Sequence, residues 1–286
     1  MTVTRGNDDD QAALWNGVAG TAWVEAQELL DGMFKPFEKL LAEALPAGTG
    51  GRVLDIGCGT GGITLAAARR LGPGGRCTGV DISEPMIAAA RVRAERESLP
   101  ADFICDDAGT HIFEAAGFDA IISRFGVMFF GDPVRAFANL RRAARDGAAL
   151  RFVTWRGAQE NPFMTTAERA AAPLLPDLPA RRPDGPGQFA FADRDHVRRI
   201  LEQSGWADVD IRPIDVTCTF PESGLVQYLS RLGPLGRVLH DADEQTRARV
   251  IETVRGAFER YVDGAEVRFD AACWMVGARH WSPGAA

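Results

Sequence analysis

The sequence predicts an α/β fold built on a doubly wound, mostly parallel sheet of seven strands. A short apolar strand at residues 52–56 runs into a glycine-rich turn and then into a helix of good helix formers at residues 63–70. Alternating strand and helix patterns continue to residue 155. Asp81 ends the second strand, 19 residues after Gly62, a spacing typical of doubly wound nucleotide-binding folds.

The glycine turn indicates a bound nucleotide. Gly57, Gly59 and Gly62 have the spacing of a dinucleotide site, although that match is weak on its own. Asp55 stands at the carboxyl end of the strand, just before the first glycine, where its carboxylate would repel a pyrophosphate and attract an ammonium group. S-adenosylmethionine (SAM) carries an ammonium and a sulfonium group and no phosphate. The turn therefore favours SAM over NAD.

Composition is that of an ordinary globular protein with one large α/β domain and insertions. The chain has 286 residues, is 46% apolar and carries a formal charge of -7, which disfavours nucleic-acid binding. It has no apolar run of roughly 20 residues, so no membrane association is expected. The polar first ten residues lack the apolar core of a signal peptide, and five cysteines without a Cys-x-x-Cys pair indicate a reduced, cytoplasmic protein. No metal-ligand spacing is present, and a monomer or a homodimer is expected.

The N-terminal segment, residues 1–46, is predicted to be helical. Apolar residues at helical spacing over about residues 11–28 are interrupted at Gly17 and Gly20, which predicts two short helices with a glycine break. A further helix is predicted over residues 29–45, disturbed by Pro36.

The central segment supplies the remaining parallel strands. These are predicted at residues 76–80, 102–105, 118–123 and 148–155. Ser83 is expected to cap the helix after the second strand, and Asp132 is expected to cap a helix that runs to about residue 145. The topological switch point, where ligands bind in such folds, is expected between the first and fourth strands.

The C-terminal segment, residues 156–286, is predicted to complete the sheet and to cap the substrate side. Helices are expected at residues 164–175, 194–204, 225–232 and 243–261, the second of them capped by Asp193. A sixth strand within residues 207–220 and a last strand at residues 266–278 are expected to form an antiparallel edge pair.

Residues 53–61, Val-Leu-Asp-Ile-Gly-Cys-Gly-Thr-Gly, closely resemble the first motif of class I SAM-dependent methyltransferases. Asp107-Ala108 resembles the second motif of that family, with Asp106 in the place of its glycine. The resemblance covers about residues 50–155. It implies an N-terminal helical lid at residues 1–46, a Rossmann-like SAM-binding core at 47–155 and cap insertions at 156–286. The implied reaction moves a methyl group from SAM to a small molecule by in-line displacement, leaving S-adenosylhomocysteine (SAH).

The resemblance implies a set of cofactor-binding residues. Asp81 would hydrogen-bond the ribose, Asp107 would accept from the adenine amino group, and Asp106 stays an alternative to Asp107. Ile82 and Met86 would pack near the adenine. The complete cofactor set is Asp55, Gly57, Cys58, Gly59, Gly61, Asp81, Ile82, Met86, Asp107, Ala108 and Ser123.

The acceptor site is predicted at the carboxyl ends of strands four and five, under the lid. Arg124 and Arg156 would hold a carboxylate or phosphate of the acceptor, or would form surface ion pairs. The complete candidate substrate set is Trp15, Trp23, Arg124, Phe125, Met128, Phe129, Trp155, Arg156, Phe163 and Tyr228. No catalytic base is identified, because many relatives carry a histidine near Met128 and this chain has none there.

Three other functions remain open from the sequence. A catalytically silent SAM-binding module and an NAD-dependent oxidoreductase would both use the same glycine turn. A nucleic-acid or protein methyltransferase is disfavoured by the acidic charge and by the lack of an Asn/Asp-Pro-Pro-aromatic tetrapeptide after strand four. The acceptor, and whether its O, N, S or C atom is methylated, stays undetermined.

Overall fold

The architecture of the chain is seen in a computed structural model. It describes residues 4–45, 47–48, 50–176, 178–179 and 185–282, with the backbone alone for residues 4–9. The sheet has the order β3-β2-β1-β4-β5-β8-β6, with β7 paired to β8. The strands are β1 (Arg52–Ile56), β2 (Arg76–Asp81), β3 (Ala101–Cys105), β4 (Phe118–Arg124), β5 (Ala144–Trp155), β6 (Ala207–Pro221), β7 (Val262–Asp263) and β8 (Glu266–Arg279).

Helices flank this sheet and cover its carboxyl edge. They are α1 (Thr4–Asn16), α2 (Val18–Glu25), α3 (Gln27–Met33), α4 (Lys35–Glu43), α5 (Gly62–Leu71), α6 (Glu84–Glu97), α7 (Pro133–Ala143), α8 (Pro162–Ala171), α9 (Arg194–Gln203), α10 (Leu225–Arg231), α11 (Gly233–Asp241) and α12 (Glu244–Phe258). Within the described ranges, no helix combines the length and the apolar character that a membrane crossing needs.

The sheet topology confirms the predicted fold class. β1 to β5 are all parallel. The chain builds the sheet outward from β1 to β3 and then returns to add β4 and β5 on the other side of β1. The switch point therefore lies between β1 and β4. β8 lies antiparallel between β5 and β6, which confirms the predicted edge pair. The sheet has one strand more than predicted, because Val262 and Asp263 fold back on β8 in a hairpin at Gly264 (φ 61°).

The β6–β8 pair extends beyond the parallel part of the sheet. Trp155, the last residue of β5, pairs with Cys273, so the part of β8 that precedes Cys273 continues past the end of β5 and pairs with β6. Helices α3 and α4 pack against β6. The carboxyl edge of the sheet is therefore enclosed by this ribbon on one side and by the N-terminal helices on the other.

The N-terminal helices differ in number from the prediction. The predicted break at Gly17 is confirmed, but Gly20 lies inside α2. The predicted helix boundary between residues 28 and 29 falls at Ala26, and a further break at Phe34 was not predicted. Pro36 lies in the first turn of α4, where the fixed φ and missing N–H of proline fit a helix start and do not disturb it.

Other element boundaries shift by a few residues. α7 ends at Ala143 and β5 starts at once, so the predicted helix end at about residue 145 falls inside the strand. α11 was not predicted separately, since Gly233-Pro234 resembles a break, yet the proline begins this helix. The Asp193 cap is confirmed, because its carboxylate accepts hydrogen bonds from the backbone N–H groups of Asp195 and His196.

A buried asparagine fastens the C-terminal cap to the sheet. Asn161 is 1% exposed and precedes α8. Its side chain accepts a hydrogen bond from the N–H of Ala272 (2.9 Å) and donates to the carbonyl of the same residue (2.9 Å). It also donates to the carbonyls of Arg156 and Gly157, so one side chain satisfies four backbone groups.

We predict that Asn161→Ala lowers the free energy of unfolding by about 2–3 kcal/mol, because buried backbone groups lose their partners. Urea unfolding followed by circular dichroism measures the change. The control is Thr165→Ala in the same helix, for which we expect a change within about 0.5 kcal/mol. Equal unfolding free energies for Asn161→Ala and the wild-type protein would contradict the proposed fastening.

Candidate active site

The glycine turn after β1 has the conformation that its glycines were predicted to permit. Gly57, Gly59 and Gly61 have φ values of 64°, 55° and 86°, a region that residues with a Cβ rarely adopt. The N–H groups of Gly57 and Cys58 both donate to the carbonyl of Val80 (2.8 and 3.1 Å), which fixes the turn over the end of β2.

The turns after β1 and β4 touch each other. A methyl group on Gly57 would lie 2.5 Å from the Cα of Gly126, so neither position has room for a side chain. Ser123, which is fully buried, joins the two turns. Its hydroxyl donates to the carbonyl of Ile56 (2.7 Å) and accepts from the N–H of Gly126 (3.2 Å). These contacts place the ends of β1 and β4 side by side at the switch point.

Asp81 lies at the end of β2, facing the glycine turn. It is 9% exposed, and its two carboxylate oxygens accept from the N–H groups of Gly59 (2.8 Å) and Ser83 (3.0 Å). Burial raises the pKa of this carboxyl group, while the backbone hydrogen bonds favour the ionised form. A carboxylate held in this way can accept further hydrogen bonds from the hydroxyl groups of a ribose.

Asp55 lies in the core beneath the turn. It is 1% exposed, and its carboxylate accepts from the hydroxyl of Thr64 (2.7 Å). Burial raises its pKa to about 7, against the opposing effects of that hydrogen bond and of the nearby Arg124. In this state Asp55 positions the start of α5, and its direct contact with a cofactor stays a prediction.

The acidic corner after β3 is organised by its own hydrogen bonds. Asp107 accepts from the N–H of Gly109 and the hydroxyl of Thr110 (2.8 and 2.9 Å), and Ala108 is buried beside it. Asp106 is exposed and contacts Nδ1 of His111 (2.7 Å). Both carboxylates therefore have protein partners, and which of them receives the adenine amino group stays open.

Two apolar residues of the predicted cofactor set lie beside the turn. Cys58 is buried, which raises the pKa of its thiol well above the usual value. Met86 is 4% exposed, and its sulfur lies 3.7 Å from where a methyl group on Gly59 would be. Apart from the chain neighbours of Gly59, no other atom of the described residues lies within 4 Å of that methyl position, so the backbone of Gly59 is open to a ligand.

The N-terminal helices attach to the turn between β2 and α6. The side-chain oxygen of Asn16 accepts from the N–H of Glu84 (2.9 Å), and its amide donates to the carbonyl of Ile82 (3.0 Å). The hydroxyl of Ser83 donates to the carbonyl of Trp15 (2.6 Å). The predicted cap by Ser83 is thus wrong, since Asn16 supplies the capping oxygen and Ser83 holds the lid.

A second attachment joins α3 to α6. Asp31 and Arg93 form an ion pair (2.7 Å) with side chains 22% and 15% exposed, and Arg93 also donates to the carbonyl of Thr60 (2.7 Å). Asp31 lies above the N-terminus of α5, where a methyl group on Gly62 would be 3.0 Å from its carboxylate. The lid is therefore fixed to both sides of the glycine turn.

Aromatic rings form what we call the strand-end cluster, made of Phe34, Phe37, Phe125 and Trp155. The rings of Phe125 and Trp155 stack with their centres 4.5 Å apart. Phe34 and Phe37 contact Phe125 edge to face, at 5.5 and 5.1 Å. Phe125 has a φ of 63°, a strained conformation for a residue with a side chain. The guanidinium of Arg124 lies over the ring of Phe34 (5.3 Å).

The other candidate substrate residues fall into separate groups. Trp15 contacts Trp23 and Phe129 edge to face (5.9 and 5.3 Å), and we call these three rings the aromatic seam between the lid and the core. Met128 is 1% exposed in the core. Arg156 forms ion pairs with Glu160 (2.9 Å) and Asp215 (3.0 Å).

Phe163 and Tyr228 belong to a different aromatic core, within the C-terminal cap. Phe163 is 2% exposed and stacks on Phe269 at 3.8 Å, while Tyr228 packs on Phe163 at 5.5 Å and donates to the sulfur of Met164. These rings hold the cap together, and a contact with the acceptor stays a prediction.

Sequence reasoning missed several residues of the site. These are Asn16, Asp31, Phe34, Phe37, Thr64 and Arg93. Each is an ordinary residue of a predicted helix. Asn16 binds Glu84, which lies 68 positions away, and Arg93 binds Asp31, which lies 62 positions away, so no local pattern marks these contacts.

The arrangement fits SAM better than a dinucleotide. The open glycine backbone, the buried Asp81 acceptor and the acidic corner after β3 are where the sequence predicts the methionine, ribose and adenine parts of SAM. A pyrophosphate needs the free N-terminus of α5. Here the carboxylate of Asp31 lies above Gly62 at that N-terminus.

Comparison with known proteins agrees with this fit. Residues 53–147 match the family model described as a methyltransferase domain. The demethylmenaquinone methyltransferase of Renibacterium salmoninarum is 26% identical over 216 residues, which is 72% of this chain and 88% of that protein. The aklanonic acid methyltransferase of Streptomyces sp. strain C5 is 35% identical over 122 residues, 42% of this chain, and the match spans 56% of that protein.

A solved structure gives the same fold. A SAM-dependent methyltransferase from Aquifex aeolicus superposes with a TM-score of 0.51 at 18% identity, covering 87% of this chain and 91% of that one.

We predict that Asp55→Asn removes a pH dependence of stability. The folded protein keeps the Asp55 proton up to a pKa of about 7, whereas the unfolded chain releases it near 3.8. The folded state therefore binds more protons between these values, and the wild-type protein loses stability as the pH rises through them. Between pH 4 and pH 8, we expect the free energy of unfolding of Asp55→Asn to rise relative to that of the wild-type protein by up to about 4 kcal/mol.

Urea unfolding at several pH values measures this difference. The exposed Asp102→Asn serves as the control. Parallel stability curves for Asp55→Asn and the wild-type protein would show that Asp55 ionises normally.

We predict that Gly20→Ala loosens the lid. A methyl group at Gly20 would overlap the carbonyl oxygen of Trp15 and lie 2.8 Å from the hydroxyl of Ser83, so the lid must move away from the ribose corner. We expect SAH binding to weaken about tenfold in calorimetry.

The control is Gly32→Ala in α3, where a methyl group meets nothing within 4 Å. It should bind SAH normally and gain about 0.5–1 kcal/mol of stability. Normal SAH binding by Gly20→Ala would mean that the lid contact at Ser83 does not support the cofactor site.

Proposed function

The chain belongs to the class I SAM-dependent methyltransferases, and we propose that it transfers the methyl group of SAM to a small-molecule acceptor by in-line displacement. The proposal rests first on Asp81. This buried carboxylate at the end of β2 is held by two backbone N–H groups of the surrounding turns, where a ribose diol would meet it. The proposed acceptor and mechanism go beyond family membership.

The residues of the chain would act mainly by positioning and by excluding water. Bound SAM supplies an activated methyl group on its sulfonium. Gly59 and Asp81 would hold the nucleoside, and the lid fixed by Asn16 and Arg93 would close the site against solvent. His111 is engaged with Asp106, and His280 lies beside the carbonyls of Ala144 and Arg145, so neither supports a role as general base.

A small acceptor suits the enclosed carboxyl edge of the sheet. The strand-end cluster, the aromatic seam of Trp15, Trp23 and Phe129, and the β6–β8 ribbon surround the switch point. The two curated relatives described above are named for demethylmenaquinone and for aklanonic acid, both small molecules. The net charge of -7 also disfavours a nucleic-acid acceptor.

The reducing cytoplasm suits the cysteines of the chain. All five thiols are free, and four of them are buried. We therefore place the proposed reaction in the cytoplasm, carried out by a monomer or a homodimer.

We predict that the protein binds SAM and SAH and that Asp81→Asn weakens this binding about tenfold to a hundredfold, because a charged acceptor is lost. Titration calorimetry with SAM, SAH and NADH measures the affinities. Asp102→Asn, on the opposite edge of the sheet, is the matched control and should bind as the wild-type protein does.

A screen of small-molecule acceptors for SAH release then tests turnover. Binding of NADH, or SAH binding that is independent of Asp81, would reject the proposed cofactor site. SAH binding without turnover of any acceptor would favour a silent SAM-binding module.

A further inference from the structure

Arg124 stands at the switch point with a charge that the protein leaves unpaired. It is the last residue of β4, and its side chain is partly buried. Its guanidinium lies over the ring of Phe34, and burial lowers its pKa. Within the part of the chain that the structure describes, no side chain forms an ion pair or a side-chain hydrogen bond with it.

The carboxylates around Arg124 all have other partners. The charges of Asp31, Asp55 and Glu38 act on Arg124 through space. However, Asp31 is paired with Arg93, Glu38 is paired with Lys35, and Asp55 is bound by Thr64. Asp55 also keeps its proton up to a pKa of about 7, so it supplies little negative charge below neutral pH.

Three parts of the fold lie close to the guanidinium. Its charge acts through space on Asp55 of β1 and on Cys218 of β6, and the charge of Asp31 of α3 acts on it. It therefore lies where β1, the lid and the β6–β8 ribbon converge. This is the enclosed space in which a cofactor and an acceptor would meet at the switch point.

The chemistry of this group selects its ligand. A guanidinium has five N–H donors in a planar fork that matches the two oxygens of a carboxylate. The guanidinium carbon lies 5.3 Å from the centre of the Phe34 ring, a contact that uses the ring's π face and no N–H donor of the group. A bare cation beside a sulfonium would also repel the methyl donor, and an anion bound between them would remove that repulsion.

We propose that Arg124 binds a carboxylate of a small molecule held in this space, and the inference rests on the proposed methyl transfer. That carboxylate belongs either to the methionine part of the cofactor or to the acceptor. In the second case the acceptor is an organic acid, oriented by its acid group toward the methyl donor.

The test compares ligands that differ only in the carboxylate. SAH and its decarboxylated analogue are titrated into the wild-type protein, Arg124→Gln and the control Arg145→Gln. Arg145 lies near the start of β5 and pairs with Asp119 at the opposite edge of the sheet, so its loss removes an equal charge away from the site.

If the cofactor supplies the carboxylate, Arg124→Gln lowers SAH affinity about tenfold to a hundredfold and leaves the affinity for the decarboxylated analogue unchanged. If the acceptor supplies it, Arg124→Gln binds both cofactor ligands normally. In that case the SAH-loaded wild-type protein binds one or more of acetate, hexanoate and benzoate but not benzamide, and SAH-loaded Arg124→Gln loses that binding.

Two results would overturn the inference. One is an equal loss of affinity for SAH and for its decarboxylated analogue, which indicates a general structural defect. The other is binding of SAH and of every probe acid that does not depend on Arg124. Failure of the wild-type protein to bind SAH would reject the proposed function instead, and the melting comparison, which needs no ligand, would then decide this inference.

A second measurement needs no ligand. Because a partly buried cation without a partner costs stability, Arg124→Met should melt about 2 °C or more above the ligand-free wild-type protein. A lower melting temperature would mean that Arg124 supports the fold through protein contacts, and it would overturn the inference.

Discussion

The contact between the turns after β1 and β4 sets the geometry of the whole site. Gly57 and Gly126 approach so closely that neither accepts a side chain, and Ser123 bonds to both turns. One consequence is that Phe125 must take a left-handed conformation as the chain leaves β4, at a cost of order 1–2 kcal/mol. Stacking on Trp155 offsets this strain, so the aromatic packing holds a bend that the glycine contact requires.

The lid is a structural part of the nucleotide-binding core. The local sequence pattern predicted that Ser83 would cap its own helix. Here its hydroxyl holds the carbonyl of Trp15, and Asn16 provides the cap for α6 from the lid. Opening the lid would leave the first N–H group of α6 without its acceptor, beside the carboxylate that is expected to hold the ribose. Lid closure and the order of the ribose corner are therefore coupled through the same two residues.

Local patterns predicted the parts of the site that depend on backbone conformation. The glycine turn, Asp81 and the switch point follow from spacing within one strand–turn–helix unit, and the structure confirms that architecture. The fastening of the lid could not be predicted, because Asn16 and Asp31 meet partners more than one β–α unit away and carry no distinctive pattern. The aromatic residues illustrate the same limit. Phe163 and Tyr228 were placed in the candidate substrate set because they are aromatic. In the structure, Phe34 and Phe37 are the rings that pack on Phe125 at the end of β4.

The electrostatics of the site divide its charged residues into two kinds. The Asp31–Arg93 pair is satisfied by direct contact, and it fastens the lid. Asp55 is buried and Arg124 is partly buried, neither has such a pair, and burial shifts the pKa of each toward its neutral form. Groups of this second kind reduce the stability of the ligand-free fold, even though Asp55 also binds Thr64 at the start of α5. If the proposed ligands bind here, an ammonium near Asp55 and a carboxylate at Arg124 would offset that cost, so the electrostatics of the site favour a zwitterionic or acidic ligand.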